Sequence, residues 1–357
     1  MMNIEVKIDL WNYLQSTKKP ILMYGMGNGA DKILKVCDSY GIEISDFFAS
    51  DGFVRGHSFH GKVVLSYSQA KEKYNDFIVL LSFASSLPDV LENIKKIAAE
   101  TELYAPDVPV FGDNLFNMEF FTNHKNYFEK AYSLLEDERS KFVYENIINY
   151  KLSGKIDYLF ACDDDEDAVT KELLKPCEIK NYADLGAYNG DTVRKLMMHT
   201  STLEKVVAFE PDRRNFRKLS EWAESVEVPQ IFPYKLGAWS HKDKLFFDAS
   251  GNRNANIVDD GKKATETDVD ALDNIVGNAY PDYIKYDVEG SEYEALMGTR
   301  NTIANHSPKL LVSVYHRSED LYKLPLLVKE LNADYRLYLR KLRYIPAWDL
   351  NLYALKG

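Results

Sequence analysis

The chain has few cysteines. Its 357 residues contain only Cys37, Cys162 and Cys177, and no two of them have C-x-x-C spacing. An odd number of widely spaced cysteines excludes a disulfide framework and a zinc knuckle. We therefore expect reduced thiols in a cytoplasmic protein.

The chain also lacks a surplus of basic residues and long apolar runs. Lys and Arg number 44 against 55 Asp and Glu, which gives a formal net charge of −11. Such a chain does not neutralise phosphates, so no nucleic-acid partner is expected. The longest apolar run, residues 77–81, is far shorter than the roughly 20 residues that span a membrane. The first ten residues carry Glu5 and Asp9 and no apolar stretch, so no secretion signal is expected.

Two segments of the chain follow the same pattern. Residues 20–34 (PILMYGMGNGADKIL) and 181–196 (NYADLGAYNGDTVRKL) each have an apolar strand, a turn with Gly-x-x-Asn-Gly, and a helix. Strand, glycine turn and helix form the opening unit of a doubly wound sheet. The sequence therefore predicts an α/β protein with two Rossmann-like doubly wound domains, residues 1–117 and 179–357, joined by a helical connector, residues 118–178.

Several finer features are also predicted. Residues 108–111 are expected to form the last strand of the first sheet, and residues 335–339 and 350–355 a final antiparallel pair. The acidic run 163–167 is expected to be a solvated helix start, since carboxylates suit the positive end of a helix dipole. The polar stretch 249–263 is expected to form a hairpin or flap.

The neighbours of the second glycine turn favour S-adenosylmethionine as its ligand. Asp184 lies two residues before Gly186, where a carboxylate repels a pyrophosphate but suits an ammonium group. Glu210 lies 20 residues beyond Gly190, at a strand end, where an acid accepts hydrogen bonds from ribose hydroxyls. The alternative is that these acids only cap helices and turns.

The first glycine turn leaves two interpretations open. Gly25, Gly27 and Ala30 form a Gly-x-Gly-x-x-Ala pattern without a preceding acid, and Asp51 follows the next strand. The turn could bind a phosphate or a nucleotide such as NAD, or it could only pack a helix on a strand.

The second half of the chain resembles the FkbM family of S-adenosylmethionine-dependent methyltransferases. The resemblance covers residues 181–357. The segments that carry it are ADLGAYNGDT (183–192), AFEPD (208–212), DALD (270–273) and IKYDVEGSEYEAL (284–296). It implies a class I methyltransferase fold and methylation of a hydroxyl group, in a sugar, a glycan or a secondary metabolite.

The resemblance also implies which residues form the site. Those implied around the methionine end of the cofactor are Asp184, Gly186, Ala187, Asn189 and Gly190. Those implied at the ribose and adenine are Glu210, Pro211, Asp212, Gly237 and Ala238. Asp287 and Glu289 match an acidic pair near the transferred methyl group.

Asp287, Glu289 and His316 are the candidate catalytic residues, because each follows a predicted strand of the second sheet. A hydroxyl is a poor nucleophile until its proton leaves, so a positioned base assists the transfer. Asp287 and His316 are the alternatives for that base, and His316 could instead only pack or orient. The three are also ligand types that suit Mg²⁺ or Mn²⁺, but without a repeating ligand spacing we expect no metal.

Three functions are compatible with these residues. The first is an O-methyltransferase with a small-molecule or glycan acceptor. The second is a nucleotide- or NAD-binding enzyme that acts through the N-terminal glycine turn, and the third is a binding module without catalysis. No membrane partner is expected, and a homo-oligomer is an open alternative. The basic run 340–343 is expected to pair with surplus acids or to face an anionic acceptor.

Overall fold

A computed structural model describes residues 2–54, 56–248, 264–277 and 280–357. The predicted flap at residues 249–263 lies outside the described residues. No described helix has both the length and the apolar character needed to cross a lipid bilayer.

The first part of the chain forms a parallel sheet with helices on its faces. Its elements are α1 (Leu10–Ser16), β1 (Ile21–Tyr24), α2 (Asn28–Tyr40), β2 (Asp46–Ala49), β3 (Ser58–Phe59), β4 (Lys62–Val63), β5 (Leu65–Ser66), α3 (Tyr67–Lys73), β6 (Ile78–Leu81), α4 (Pro88–Glu100) and β7 (Glu102–Tyr104). The strand order is β5-β2-β1-β6-β7, and β3 pairs with β4 in a separate hairpin.

Local sequence explains these elements. In α2, Ala30, Ile33 and Cys37 recur at helical spacing and are buried, and the helix ends at Gly41 with a left-handed backbone. The predicted strand at residues 108–111 is wrong, because the fifth strand is β7, which pairs with β6. Pro109 lies within residues 108–111 and Pro106 just before them, and proline donates no hydrogen bond to a strand ladder.

The middle of the chain is mostly helical. It contains α5 (Met118–Ser133), α6 (Glu138–Ser153), α7 (Ile156–Ala161), the short strand β8 (Asp163–Asp164) and α8 (Glu166–Val169). One cluster of buried apolar side chains includes Val79 of β6, Phe128 of α5 and Ile147 of α6, and it extends to the strands at the end of the chain. The two sheets therefore share a core, and the predicted boundaries at 117 and 178 stay predictions.

The last part of the chain forms a larger sheet and a small one. Its elements are β9 (Asn181–Leu185), α9 (Asp191–His199), β10 (Lys205–Phe209), α10 (Arg213–Glu224), β11 (Gln230–Tyr234), β12 (Gly237–Ala238), β13 (Asp243–Asp248), β14 (Ala264–Asp270), β15 (Tyr283–Tyr286), α11 (Glu292–Met297), α12 (Arg300–His306), β16 (Lys309–Ser313), α13 (Asp320–Leu331), β17 (Tyr335–Leu342) and β18 (Leu350–Lys356).

The order of the large sheet is β11-β10-β9-β15-β16-β18-β17-β8, and β12-β14-β13 forms the small one. Strand β18 runs antiparallel to both β16 and β17. The predicted α/β fold with a parallel sheet is therefore confirmed, and the final antiparallel pair is present.

Ion pairs join the end of the chain to its helical middle part. Arg340 Nη2 lies 2.6 Å from Asp137 Oδ2, and the buried Lys341 ammonium pairs with Asp163. The basic run thus pairs with acids, one of the two expected arrangements. The prediction of a solvated helix start holds for Asp165, which caps α8, and for Glu166 and Asp167, which lie exposed in its first turn. Asp163 and Asp164 instead lie in β8, because Lys341 draws their strand against β17.

Candidate functional site

Three of the predicted site residues meet at one edge of the large sheet. Leu185 of β9 is level with Phe209 of β10 and with Tyr286 of β15. The next residues along the three strands are Gly186, Glu210 and Asp287, so all three lie at the same carboxyl edge. The chain runs from β9 outward to β10 and β11 and then returns to β15 on the other side of β9. Such a switch point is where doubly wound sheets bind ligands.

The second glycine turn fits between two close neighbours. Gly186 has φ +89°, and a Cβ atom there would lie 1.9 Å from the Asp287 carbonyl oxygen. Gly190 has φ +84°, and a Cβ atom would lie 2.3 Å from the Trp222 ring. Both positions therefore require glycine, through conformation and through space. The turn is consequently held against the end of β15 on one side and against α10 on the other.

Glu210 fastens the tip of this turn. Its Oε2 accepts a hydrogen bond from the Tyr188 N–H, and its Oε1 accepts one from the Asp212 N–H, each at 2.8 Å. Burial raises the pKa of Glu210 to about 7, although these two hydrogen bonds lower it. Each carboxylate oxygen can accept a further donor. Tyr188, which was not predicted, is 42% exposed beside it.

Asp184 does not face a ligand in this structure. It has no exposed surface, and its Oδ2 accepts a hydrogen bond from the Thr192 hydroxyl. Its Oδ1 has no hydrogen-bond partner and lies 3.5 Å from Lys285 Nζ. Burial raises the pKa of Asp184, although Lys285 lowers it. The ammonium group beside Asp184 therefore belongs to the chain itself.

Lys285 links the glycine turn to the catalytic candidates. Its Nζ lies 3.4 Å from Asp287 Oδ2 and shares its charge between Asp287 and Asp184. Burial lowers the pKa of Lys285, but Asp287 and Asp184 outweigh this effect and the pKa is raised. Sequence reasoning did not assign this residue a role. Its signal was a lysine at the third position of the otherwise apolar and aromatic strand YIKY, which is buried throughout.

His316 is buried among three carboxylates. Its Nε2 lies 3.6 Å from Asp287 Oδ1 and 3.6 Å from Glu289 Oε2, and its Nδ1 lies 2.9 Å from Glu292 Oε1. Burial lowers the pKa of His316, but Glu292 first and then Asp287 and Glu289 raise it to about 9. The imidazole is therefore protonated at neutral pH. This charge state favours an orienting role for His316 over the general-base role.

Asp287 pairs with both this cation and Lys285. Its side chain is 31% exposed, and one oxygen accepts a hydrogen bond from the Tyr315 hydroxyl at 3.2 Å. Burial raises its pKa, but Lys285 and His316 outweigh burial, so the pKa is lowered. Asp287 is consequently ionised at neutral pH and presents an oxygen at the sheet edge.

Two further acids were missed in the sequence. Glu292 begins α11, is 1% exposed, and accepts a hydrogen bond from the Val288 N–H at 2.9 Å. Burial, together with Glu292, raises the pKa of Asp320 to about 8. Asp320 is thus mostly protonated at pH 7. No pattern in the sequence distinguishes these two buried acids from surface acids.

The same cluster has ligand atoms close enough for a cation. Among the described residues, Asp287, Glu292 and His316 place one ligand atom each within 4.8 Å of one another. The possible metal ligands considered from the sequence were Asp287, Glu289 and His316, with Glu289 in place of Glu292. The sequence expectation of no metal stays a prediction.

The remaining predicted cofactor residues have structural contacts of their own. Asp212 caps α10 by accepting from the N–H groups of Arg214 and Asn215. Ala187 donates its N–H to the Phe209 carbonyl. The others are Asn189, whose side chain accepts from Arg194, Pro211, which is exposed, and Gly237 and Ala238, which form β12.

At the first glycine turn the candidate acid is engaged elsewhere. Asp51 Oδ2 accepts a hydrogen bond from the Ser68 hydroxyl at 3.0 Å, and Oδ1 accepts one from the Ser68 N–H at 3.3 Å. It therefore lies against the start of α3.

Comparisons with known proteins agree with this arrangement. Residues 184–346 match the family model described as methyltransferase FkbM domain. Comparison with curated protein sequences gives no match. The crystal structure of methyltransferase FkbM from Methylobacillus flagellatus KT is similar, with a TM-score of 0.72 and 20% identity, over 94% of this chain and 90% of that chain. At that identity, the likeness shows a common fold.

More distant matches overlap a smaller share of the chain. Fibrillarin from Aeropyrum pernix, in complex with S-adenosyl-L-methionine, has a TM-score of 0.29 and 14% identity over 49% of this chain and 66% of that chain. An rRNA methylase from Streptococcus thermophilus has a TM-score of 0.32 and 13% identity, over 53% and 92%. The segment that matches the methyltransferase FkbM domain contains the second glycine turn, Glu210, Asp287 and His316.

Proposed function

We propose that the protein is an S-adenosylmethionine-dependent O-methyltransferase that acts on a hydroxyl of a sugar, a glycan or a secondary metabolite. The observation that carries the proposal is the meeting of the Gly186 turn, Glu210 and Asp287 at the switch point of the large sheet. In this proposal the cofactor binds at the glycine turn, beside Asp287 as the candidate proton acceptor.

The residues at this edge fit the cofactor. Glu210 has lone pairs left to accept from two ribose hydroxyls, and Tyr188 offers an exposed ring beside them. The negative cluster of Asp287, Glu289 and Glu292 suits a positively charged sulfonium. When bound, S-adenosylmethionine supplies a methyl group on that sulfonium, which a nucleophile displaces. Asp184 contributes indirectly, because it holds Lys285 and Thr192 in place.

Asp287 is the proton acceptor in this proposal. The acceptor oxygen forms a bond to the methyl carbon while the carbon–sulfur bond breaks, and the hydroxyl proton passes to the Asp287 carboxylate. His316 and Lys285 are positioning residues, since both hold that carboxylate by its two oxygens. A positioned base contributes on the order of 10²–10⁴-fold, and alignment of the two reactants supplies much of the remainder.

The test is a calorimetric titration of S-adenosylhomocysteine into the full-length protein. We expect one site per chain, and we expect Glu210→Ala to weaken binding at least tenfold. Glu204→Ala is the matched control, since Glu204 is an exposed acid just before the same strand. No binding by the folded wild type, or equal binding by both variants, would contradict the proposed site.

A further inference from the structure

A cavity of about 480 Å³ lies between the two sheets, away from the glycine turn of the cofactor site. One wall is formed by residues that come directly after β1, among them Gly29, and by residues at and after the end of β6, among them Ala84. In the first sheet, β1 is the central strand from which the chain runs outward to β2 and then returns to β6. The cavity therefore opens at the switch point of that sheet, where α/β proteins bind small molecules.

The opposite wall comes from the methyltransferase half. Ile345, Pro346 and Trp348 lie in the connection between β17 and β18 and line the cavity. This connection is fixed to the first sheet, since Ser85 and Ile345 exchange hydrogen bonds of 2.8 and 3.0 Å. The cavity therefore exists only when both parts of the chain are packed together. A ligand site shared by both parts would explain why the first sheet is present beside the second.

The lining indicates the chemistry of a ligand. Among the lining residues, only Asn28, Lys32 and Ser82 carry an amide, ammonium or hydroxyl group, and most of the others are apolar. Lys32 Nζ donates to the Val110 carbonyl at 3.1 Å, which fixes the ammonium at the wall. Burial lowers the pKa of Lys32, although Glu289 raises it. An apolar body with one anionic group matches this lining.

The cavity wall adjoins the candidate active site. Val110 lines the cavity, and the next residue, Phe111, donates its N–H to the His316 carbonyl at 3.0 Å. The rings of Phe111 and His316 meet edge to face, with centroids 5.8 Å apart. Gly290 also packs on Phe111, since a Cβ atom on Gly290 would lie 3.0 Å from it. One short segment therefore separates the cavity from the residues around Asp287.

We propose that this cavity, built by both halves of the chain, binds the body of the methyl acceptor, a largely apolar small molecule whose anionic group pairs with Lys32. This inference rests on the proposed function and narrows its acceptor class. The acceptor then lies against Val110 and extends its hydroxyl past Phe111 toward Asp287.

The experiment compares two probes of nearly equal shape by calorimetry. One is 8-anilinonaphthalene-1-sulfonate, which is anionic, and the other is N-phenyl-1-naphthylamine, which lacks the sulfonate. We expect Lys32→Met to weaken binding of the sulfonate probe at least tenfold and to leave the affinity for the neutral probe unchanged. Lys35→Met is the matched control, because Lys35 is exposed on the same helix. We expect Ala84→Phe, which adds a phenyl ring at the cavity wall, to weaken the binding of both probes.

The outcomes separate this proposal from the cofactor assignment. Equal effects of Lys32→Met and Lys35→Met would place the probe on the outer surface and overturn the proposal. Competition between the sulfonate probe and S-adenosylhomocysteine would also overturn it, since an acceptor binds together with the cofactor. If S-adenosylhomocysteine fails to bind while the probe results hold, the methyltransferase proposal fails and the cavity remains a ligand site. Thermal unfolding of Ala84→Phe checks that it folds, and Lys32→Met tests the cavity independently.

Discussion

Protonation of Glu210 should control cofactor affinity near neutral pH. Burial raises the pKa of this carboxyl to about 7 in the free protein. Hydroxyl donors from a ribose favour the ionised form and lower the pKa in the complex. The protonated form must therefore lose its proton on binding, and affinity should increase as the pH rises through 7.

The size of the effect follows from the titration curve. With a pKa of about 7, the free carboxyl is about 90% ionised at pH 8 and about 10% ionised at pH 6. The dissociation constant of S-adenosylhomocysteine should therefore be about tenfold higher at pH 6 than at pH 8. Titrations at pH 6 in buffers of different ionisation enthalpy should also show nearly one proton released per site.

The control is Glu210→Gln, which keeps the shape of the side chain and removes its titration. Its affinity should be lower and nearly constant between pH 6 and pH 8. A tenfold change that persists in Glu210→Gln would refute the reasoning, because another group would then be responsible. A flat profile in the wild type would show that no ribose hydroxyl acts on this carboxylate.

Three further predictions concern the residues that hold the site. Gly186→Ala should lower the free energy of unfolding by about 2–5 kcal/mol in urea, since a left-handed backbone and a steric overlap add. At Gly41, φ is +66° and the space around the position is open, so Gly41→Ala should lower the free energy of unfolding only by the contribution of the left-handed backbone. Lys285→Met should cost about 3–5 kcal/mol, because it leaves a buried carboxylate unpaired; the double change with Asp184→Asn should recover part of this, and no recovery would exclude the pairing. Glu292→Gln should shift the pKa of His316 from about 9 toward its ordinary 6.5 in an NMR titration of the ring, whereas Glu294→Gln on the same helix should leave it unchanged.

The position of the second glycine turn could be predicted because it depends on strand ends. Gly186, Glu210 and Asp287 each follow directly on an apolar strand, and parallel strands of one sheet end at one edge. A motif that specifies a strand end therefore specifies a location. The glycines add their own signal, since only that residue type tolerates both the positive φ and the close backbone of β15.

The charge states could not be predicted in the same way. A carboxylate at Asp184 suggested a ligand ammonium, whereas the structure buries it completely, with the Lys285 ammonium 3.5 Å away. His316 suggested a base, because a free imidazole titrates near neutral pH. Its pKa depends on Glu292, which also raises the pKa of Asp320 on another helix. These effects require burial and distance, which no spacing in the sequence encodes.

The first sheet shows why the role of a glycine turn needs its surroundings. Gly25 and Gly29 alone permitted a nucleotide site, and Asp51 at the end of the next strand favoured it. In the structure Asp51 accepts a hydrogen bond from Ser68. The connection that contains Ile345 and Trp348 lines the same cavity as Gly29 of the turn. That connection comes from the far end of the chain, between two strands whose own sequence predicts only a hairpin. The switch point of the first sheet is thereby bordered by a mainly apolar cavity, whose opposite wall comes from the connection between β17 and β18.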